Sequence, residues 1–140
     1  HHDNGFNMRM TNIHASIGIA QLGKKNKIFK LKRKICSVYL KGIKNNKIKT
    51  LCKIKDIPWV FPIITQNSFI KNKIKNYLKE NNINLNEFWI PMHNQPFKEK
   101  MIFSNFNNID KLKNRILILP SDINLKLSVV KKITDKLNKI

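Results

Sequence analysis

GFNMRMTNIHASIGIAQL, residues 5–22, is the stretch on which the reading of the whole chain turns. Thr11 stands where a helix N-cap belongs: its hydroxyl can accept a hydrogen bond from an orphan amide of the first turn. Ile13, Ile17 and Ala20 then recur at helical spacing along one side. Gly5 places a small turn ahead of this helix, and Asn7 and Arg9 fall just before its N-terminus. Free N–H groups and the macrodipole favour an anion such as phosphate at that point. The same spacing also suits an ordinary loop entering an amphipathic helix, and the spacing alone leaves both readings open.

Downstream, Ile28, Leu31, Ile35, Val38 and Tyr39 continue the helical steps. The spacing predicts one long helix from Thr11 to about Gly42, with an interruption near Gly23 and Gly42 as its C-cap. Short extended segments follow at 49–54 and 59–65, and Pro62 assigns the second to a sheet edge or a bulge. A helix is expected over 68–80, with Phe69, Ile70, Ile74, Tyr77 and Leu78 on one face. Asn81 and Asn82 should end it, since asparagine tolerates the left-handed conformation. Residues 83–90 read as a strand. Helix, short strand and a last helix carrying Val129, Val130, Ile133 and Leu137 complete the chain. The alternation of β pattern and helix gives an α+β fold with a small, mainly antiparallel sheet packed by helices.

Composition narrows the classes. The 140 residues hold 28 Lys and Arg against 8 Asp and Glu, a formal net charge of +20. Such a balance points to nucleic acid or an anionic surface. It also has a bland source, because Lys, Asn and Ile dominate together, as AT-rich codons dictate, and only Arg9, Arg33 and Arg115 are arginine. Scattered lysines would neutralise phosphates without reading bases, so any nucleic-acid binding is expected to be non-specific. The apolar runs fall far short of the roughly 20 residues a spanning helix needs, and no export signal is legible. Cys36 and Cys52 have neither CxxC spacing nor histidine neighbours, so no metal site and a reduced, cytoplasmic setting are expected. The carboxylates form no catalytic pair, no GxSxG, P-loop or GxGxxG motif is present, and no residue is assigned as catalytic.

The stretch at residues 5–22 resembles the Gly-aromatic-Asn-aromatic-Arg-Met/Leu-Thr-Asn-Ile pattern of the DegT/DnrJ/StrS family, pyridoxal phosphate-dependent aminotransferases that act on nucleotide-linked keto sugars. A second block in the expected order, Phe88-Trp89-Ile90-Pro91-Met92-His93-Asn94-Gln95-Pro96-Phe97, is similar to the family's Pro-Met/Leu-His-x-Gln-Pro-aromatic segment. Weaker matches lie at Trp59-Val60-Phe61-Pro62-Ile63 and Leu119-Pro120-Ser121. The resemblance implies the C-terminal part of a fold-type I aminotransferase, with residues 1–45 as turn and interdomain helix and 46–140 as the small α+β domain.

It further implies a pyridoxal 5'-phosphate cofactor, a homodimer, an amino donor such as glutamate and a nucleotide-sugar substrate. Asn7 would hydrogen-bond the cofactor phosphate of the neighbouring subunit, an amide donating without adding a fixed charge. Arg9 would bear on that phosphate or on a substrate anion. His93 would lie near the sugar-nucleotide pocket, although a histidine between prolines also fits a structural role. No lysine falls in a motif that would mark it as the Schiff-base residue, so the chain is not expected to catalyse alone. Met8 departs from the aromatic of the pattern. Asn86 and Glu87 stand where many members carry Arg-Pro, and Glu87 would repel a diphosphate if it faced the pocket. The alternatives are a small basic nucleic-acid-binding module and a non-catalytic dimerisation remnant.

Overall fold

The computed structural model describes residues 8–94 and 106–140. In chain order they form α1 (Asn12–Gly23), α2 (Lys25–Gly42), β1 (Ile48–Thr50), β2 (Phe61–Thr65), α3 (Ser68–Glu80), β3 (Asn86–Glu87), a 3₁₀ turn (Met92–Asn94), α4 (Asn107–Lys113), β4 (Ile116–Leu119) and α5 (Leu127–Leu137). The strands make one sheet in the order β1-β2-β4-β3, every neighbouring pair antiparallel.

Thr11 caps α1 as expected: its backbone is extended and its hydroxyl accepts from the His14 amide. The interruption near Gly23 is real, with Lys24 sitting between the two helices. Beyond it the helices differ in what they bury. Ile35, Cys36 and Tyr39 of α2 are buried, whereas α1 buries nothing, and Ile13 and Ile17 of the expected stripe are 73% and 52% exposed.

Gly42 does a different job from the one expected. No glycine among the described residues has positive φ, and the C-cap is Ile43, whose amide bonds Tyr39 O at 2.9 Å. A Cβ at Gly42 would instead lie 2.8 Å from Thr134 Oγ1 and 2.9 Å from the Thr134 methyl, so the missing side chain is what lets α2 and α5 approach. Tertiary contact, not backbone conformation, calls for glycine there.

The strands are shorter than the alternation suggested. After Thr50 the chain turns, with the Asp56 carboxylate accepting from the Lys53 amide at 2.6 Å. Of residues 83–90 only Asn86 and Glu87 pair with β4, because Phe88, Trp89 and Ile90 leave the sheet and are exposed. Pro62 lies in an interior strand, not at an edge. It pairs with Ile118 on one side, while on the other its carbonyl accepts from Leu51 N–H at 3.4 Å just beyond the end of β1. Its missing N–H therefore falls where the ladder is already finishing, and little is lost.

Registers Phe61↔Leu119 and Ile63↔Leu117 put four buried side chains on one sheet face. Against them pack Ile35 and Tyr39 of α2, Ile74 and Leu78 of α3, and Val130, Ile133 and Leu137 of α5. Two expected core positions turn outward: Phe69 is 72% exposed and Val129 38%, each one step off the buried stripe of its helix. Asn67 caps α3 through Ile70 N–H at 2.9 Å, and Asn82 ends it with φ 59, the left-handed conformation expected of that pair.

The two glycines of interest predict opposite responses. Gly42→Ala should destabilise the fold by about 1 to 3 kcal/mol, because Thr134 must move. Gly18→Ala, where a Cβ meets nothing within 4 Å, should be neutral or stabilise α1 by up to about 1 kcal/mol. Urea denaturation followed by circular dichroism measures both, and equal effects of the two substitutions would contradict the packing argument.

Candidate binding site around the aromatic segment

Two regions carry the residues singled out by the sequence. At the start of α1, Met8, Arg9 and Met10 are exposed, and the first turn contains no acidic residue. Thr11 Oγ1 accepts from the His14 backbone N–H at 3.2 Å and bonds the His14 ring at 3.0 Å. An anion at this helix end would meet the positive dipole and the Arg9 charge with no carboxylate of that turn opposing it. Asn7, with Gly5 and Phe6, lies outside the described residues.

The second region begins where β3 ends. Phe88 packs edge-on to Trp89, and Trp89 stacks on Trp59 with centroids 5.2 Å apart and planes at 15°. Such offset aromatic pairs add about 0.5 to 1.5 kcal/mol beyond the area they bury. Beside them opens an apolar hollow of about 560 Å³, walled by Trp89, Ile90, Pro91, Phe106, Ile109 and Ile116, with His93 at its border. Ile116 reaches it from β4, so the hollow lies on a sheet residue whose neighbour Leu117 faces the core.

His93 is held from several directions. Its ring stacks on Phe106 at 4.7 Å and 6°, and Nε2 lies 3.1 Å from Asp110 Oδ1. Asp110 Oδ1 also accepts from Lys113 Nζ at 2.7 Å and from the Asn94 amide at 3.3 Å. Lys113 first, then His93 and Asn94, hold the Asp110 carboxyl well below the usual carboxylate range. The imidazole is thus oriented by an ionised acid whose charge Lys113 already offsets. The side chain of His93 is 13% exposed, enough to present the ring to a polar ligand in the hollow. Nothing in the sequence joined His93 to Asp110, since the two lie 17 residues apart. Gln95, Pro96 and Phe97 of the matched segment lie outside the described residues. Arg9 and His93 sit on separate elements, one ahead of α1 and the other after β3.

Glu87 is engaged by two lysines. Instead of standing as a bare charge against a diphosphate, its carboxylate takes Lys71 Nζ at 2.9 Å and also Lys75 Nζ. Hydrogen bonds from Lys75 and Lys71 draw its carboxyl down to about 2. Two ammonium groups on one carboxylate leave the cluster positive. The clasp also accounts for Lys71, buried to 6% exposure with its charge matched, and it ties α3 to β3 just before the aromatic segment begins.

The model of the DegT/DnrJ/EryC1/StrS aminotransferase family matches residues 1–138. The GDP-perosamine synthase of Escherichia coli O157:H7 is 33% identical over 100 residues, 69% of this chain and 27% of that protein. The GDP-perosamine synthase of Vibrio cholerae is 33% identical over 101 residues, 69% of this chain and 28% of its own length. Among solved structures, Helicobacter pylori PseC, an aminotransferase involved in the biosynthesis of pseudoaminic acid, superposes with a TM-score of 0.82 at 21% identity, covering 98% of this chain and 39% of that one. DesV of S. venezuelae, solved in complex with a ketimine intermediate, gives a TM-score of 0.82 at 16% identity over 99% of this chain and 38% of its own. At those identities the structural likeness is one of fold. The chain spans about a quarter of the curated relatives and about two fifths of the solved ones.

The clasp has a measurable signature. Glu87→Gln should cost about 1 to 2 kcal/mol, between the values for exposed and buried pairs, because the carboxylate is 48% exposed while Lys71 is left buried. Adding Lys71→Met should recover most of the loss. The Glu87 carboxyl is lower in the folded state than its ordinary value of 4.5, so its contribution is complete above that value and disappears as pH falls toward about 2. Urea midpoints of wild type and Glu87→Gln should therefore differ at pH 6 and converge as pH approaches 2; a gap independent of pH would rule out the ion pair as its cause.

Proposed function

The chain belongs to the DegT/DnrJ/EryC1/StrS aminotransferase family, and from that premise we propose that it is the C-terminal part of an enzyme that aminates a nucleotide-linked keto sugar. The observation that carries the reading is the match over residues 1–138, which takes in both the turn leading into α1 and the aromatic segment with His93. The named relatives at 33% identity, GDP-perosamine synthases, support a nucleotide-sugar substrate. On this reading residues 1–45 are the turn and interdomain helix, residues 46–140 are the small domain, and a homodimer completes the site.

Members of the family use pyridoxal phosphate. The described residues suit its phosphate end: the start of α1 offers helix N–H groups, the Arg9 cation and a first turn without acids. When bound, the cofactor supplies an electron sink for the carbon that carries the amine. What this chain contributes is binding and orientation. Asn7 donates an amide hydrogen bond to the phosphate of the neighbouring subunit's cofactor, and Arg9 adds charge at the same helix end. His93, its ring held by Asp110 and Phe106, hydrogen-bonds the sugar-nucleotide substrate at the edge of the apolar hollow. The Schiff-base lysine of the whole enzyme is read as belonging to the part of the relatives that this chain does not span. The basic surface is then a solvated one. The named relatives favour the aminotransferase reading over a nucleic-acid-binding module.

Joining this chain to the N-terminal domain of a family relative provides the test. The assembled enzyme should transfer the amino group of glutamate to a nucleotide-linked keto sugar; no activity on any such sugar, with the cofactor demonstrably bound, would refute the proposal. Asn7→Ala should lower cofactor retention about ten-fold to a hundred-fold, the equivalent of losing a hydrogen bond to a charged acceptor worth about 1.5 to 3 kcal/mol. Mixing that variant with one lacking the Schiff-base lysine should restore activity, since one composite site in each heterodimer is then intact. Absence of recovery, with subunit exchange confirmed, would remove the trans role of Asn7.

A further inference from the structure

Trp59 is 75% exposed, yet its place is fixed. Its ring stacks on Trp89, and its backbone carbonyl accepts from Lys32 Nζ at 2.7 Å. The same ammonium donates to Ser121 O at 2.7 Å, so one lysine from α2 ties together the segments before β2 and after β4. Between those segments lies a cleft of about 340 Å³, lined by Lys32, Trp59, Asn84, Asn86, Ser121 and Asp122 among others. It shares no lining residue with the hollow that borders His93. Asn86 stands where many family members carry arginine, and Trp59 and Ser121 fall in matched segments, but the aminotransferase reading assigns no ligand to any of these side chains.

The chemistry of the walls is unusual for an idle surface. Trp59 supplies a flat apolar face. Around it, the Asn84 and Asn86 amides and the Ser121 hydroxyl make no hydrogen bond with the described residues. Asp122 spends one carboxylate oxygen on the Asn124 amide at 2.7 Å and keeps the other. Lys32 has given two of its three N–H donors to carbonyls and retains the third. Burial pushes the Lys32 ammonium down while the Asp122 charge opposes that shift.

We infer that this cleft binds the ring of a neutral sugar. A pyranose lays its C–H face on an indole and points hydroxyls outward around its edge. Each hydroxyl both donates and accepts, so the same ring can satisfy acceptor-only Asp122, donor-only Lys32 and the ambivalent amides. A phosphate or other anion would be repelled by Asp122 and would find only a lysine whose donors are mostly committed. A purely apolar ligand would strand the polar walls. The volume holds a single hexose ring with a little water, at the small end of ligand sites.

Saturation-transfer NMR of the purified protein with methyl α-glycosides of glucose, mannose and galactose tests the assignment. These probes carry neither nucleotide nor keto group, so the outcome is independent of the aminotransferase proposal. At least one glycoside should receive saturation at its ring protons with millimolar affinity. Trp59→Ala and Asp122→Asn should each weaken it at least about ten-fold, Trp59→Phe should retain part of it, and circular dichroism should stay unchanged. If Trp59→Ala fails to fold, the Asn84→Ala, Asn86→Ala double variant decides by the same ten-fold criterion. No transfer to any glycoside, transfer unaffected by these substitutions, or transfer only to a purine nucleoside added as a control would each overturn the inference.

Discussion

The seat of α2 on the sheet is the contact on which the remaining structure depends. Tyr39 is fully buried, its ring 4.7 Å from Phe61 of β2 and its hydroxyl donating to Pro120 O at 2.7 Å just after β4. One side chain thus packs on one central strand and ties down the end of the other. Burial pushes the Tyr39 hydroxyl up, which favours its protonated, donating form. About two turns earlier on the same helix, Lys32 grips the carbonyls of Trp59 and Ser121. The central pair β2 and β4 is thereby held at the end from which the tryptophan cleft opens. The same helix meets α5 through Gly42 and Thr134, and a shift there would travel to both strands.

Charge is distributed against this core in a way the net figure conceals. With few acids in the chain, several do local structural work. Glu87 closes the α3 clasp, Asp110 orients His93, and Asp56 and Asp122 accept backbone amides in turns. Among the described residues most lysines have no carboxylate partner and stay solvated, where mutual repulsion costs a few tenths of a kcal/mol per close pair on a helix. Lys71, Lys75 and Lys113 do meet carboxylates, and of these Lys71 is the buried one, tolerated because Glu87 meets it. At Glu87 the departure from the family pattern supplies the carboxylate that matches Lys71 and Lys75 of α3.

The N-terminal helix contrasts with everything after it. Met8, Met10, Ile13, Ile17, Ile19 and Leu22 are all more than half exposed. A surface of that kind is costly to leave in water and ordinarily lies against something. The partial span of the family relatives supplies the physical context: a chain covering a quarter to two fifths of those proteins leaves most of their length to provide such contacts. The family match across residues 8–22 and their lack of burial are thus consistent with each other.

By itself the sequence determined whatever depends on neighbours along the chain. The Thr11 cap, the break at Gly23, the span of α3, the left-handed Asn82 and the family resemblance are all local patterns, fixed by hydrogen bonds within a few residues or by a run of side chains read in order. What depended on distant partners could not be read that way. Gly42 looked like a cap because a glycine at a helix end usually is one; only the arrival of Thr134, 92 residues later, shows that it is a point of close approach. Pro62 looked like an edge residue because its neighbours in the sheet were invisible, yet β4 pairs on one side while β1 runs out on the other. Phe88 to Ile90 alternated like a strand, but β4 offers a partner only to Asn86 and Glu87. His93 with Asp110, Glu87 with Lys71 and Trp59 with Trp89 are likewise made by the sheet order. Such pairings are set by packing free energy over the whole core, and no window of the sequence contains both halves of it.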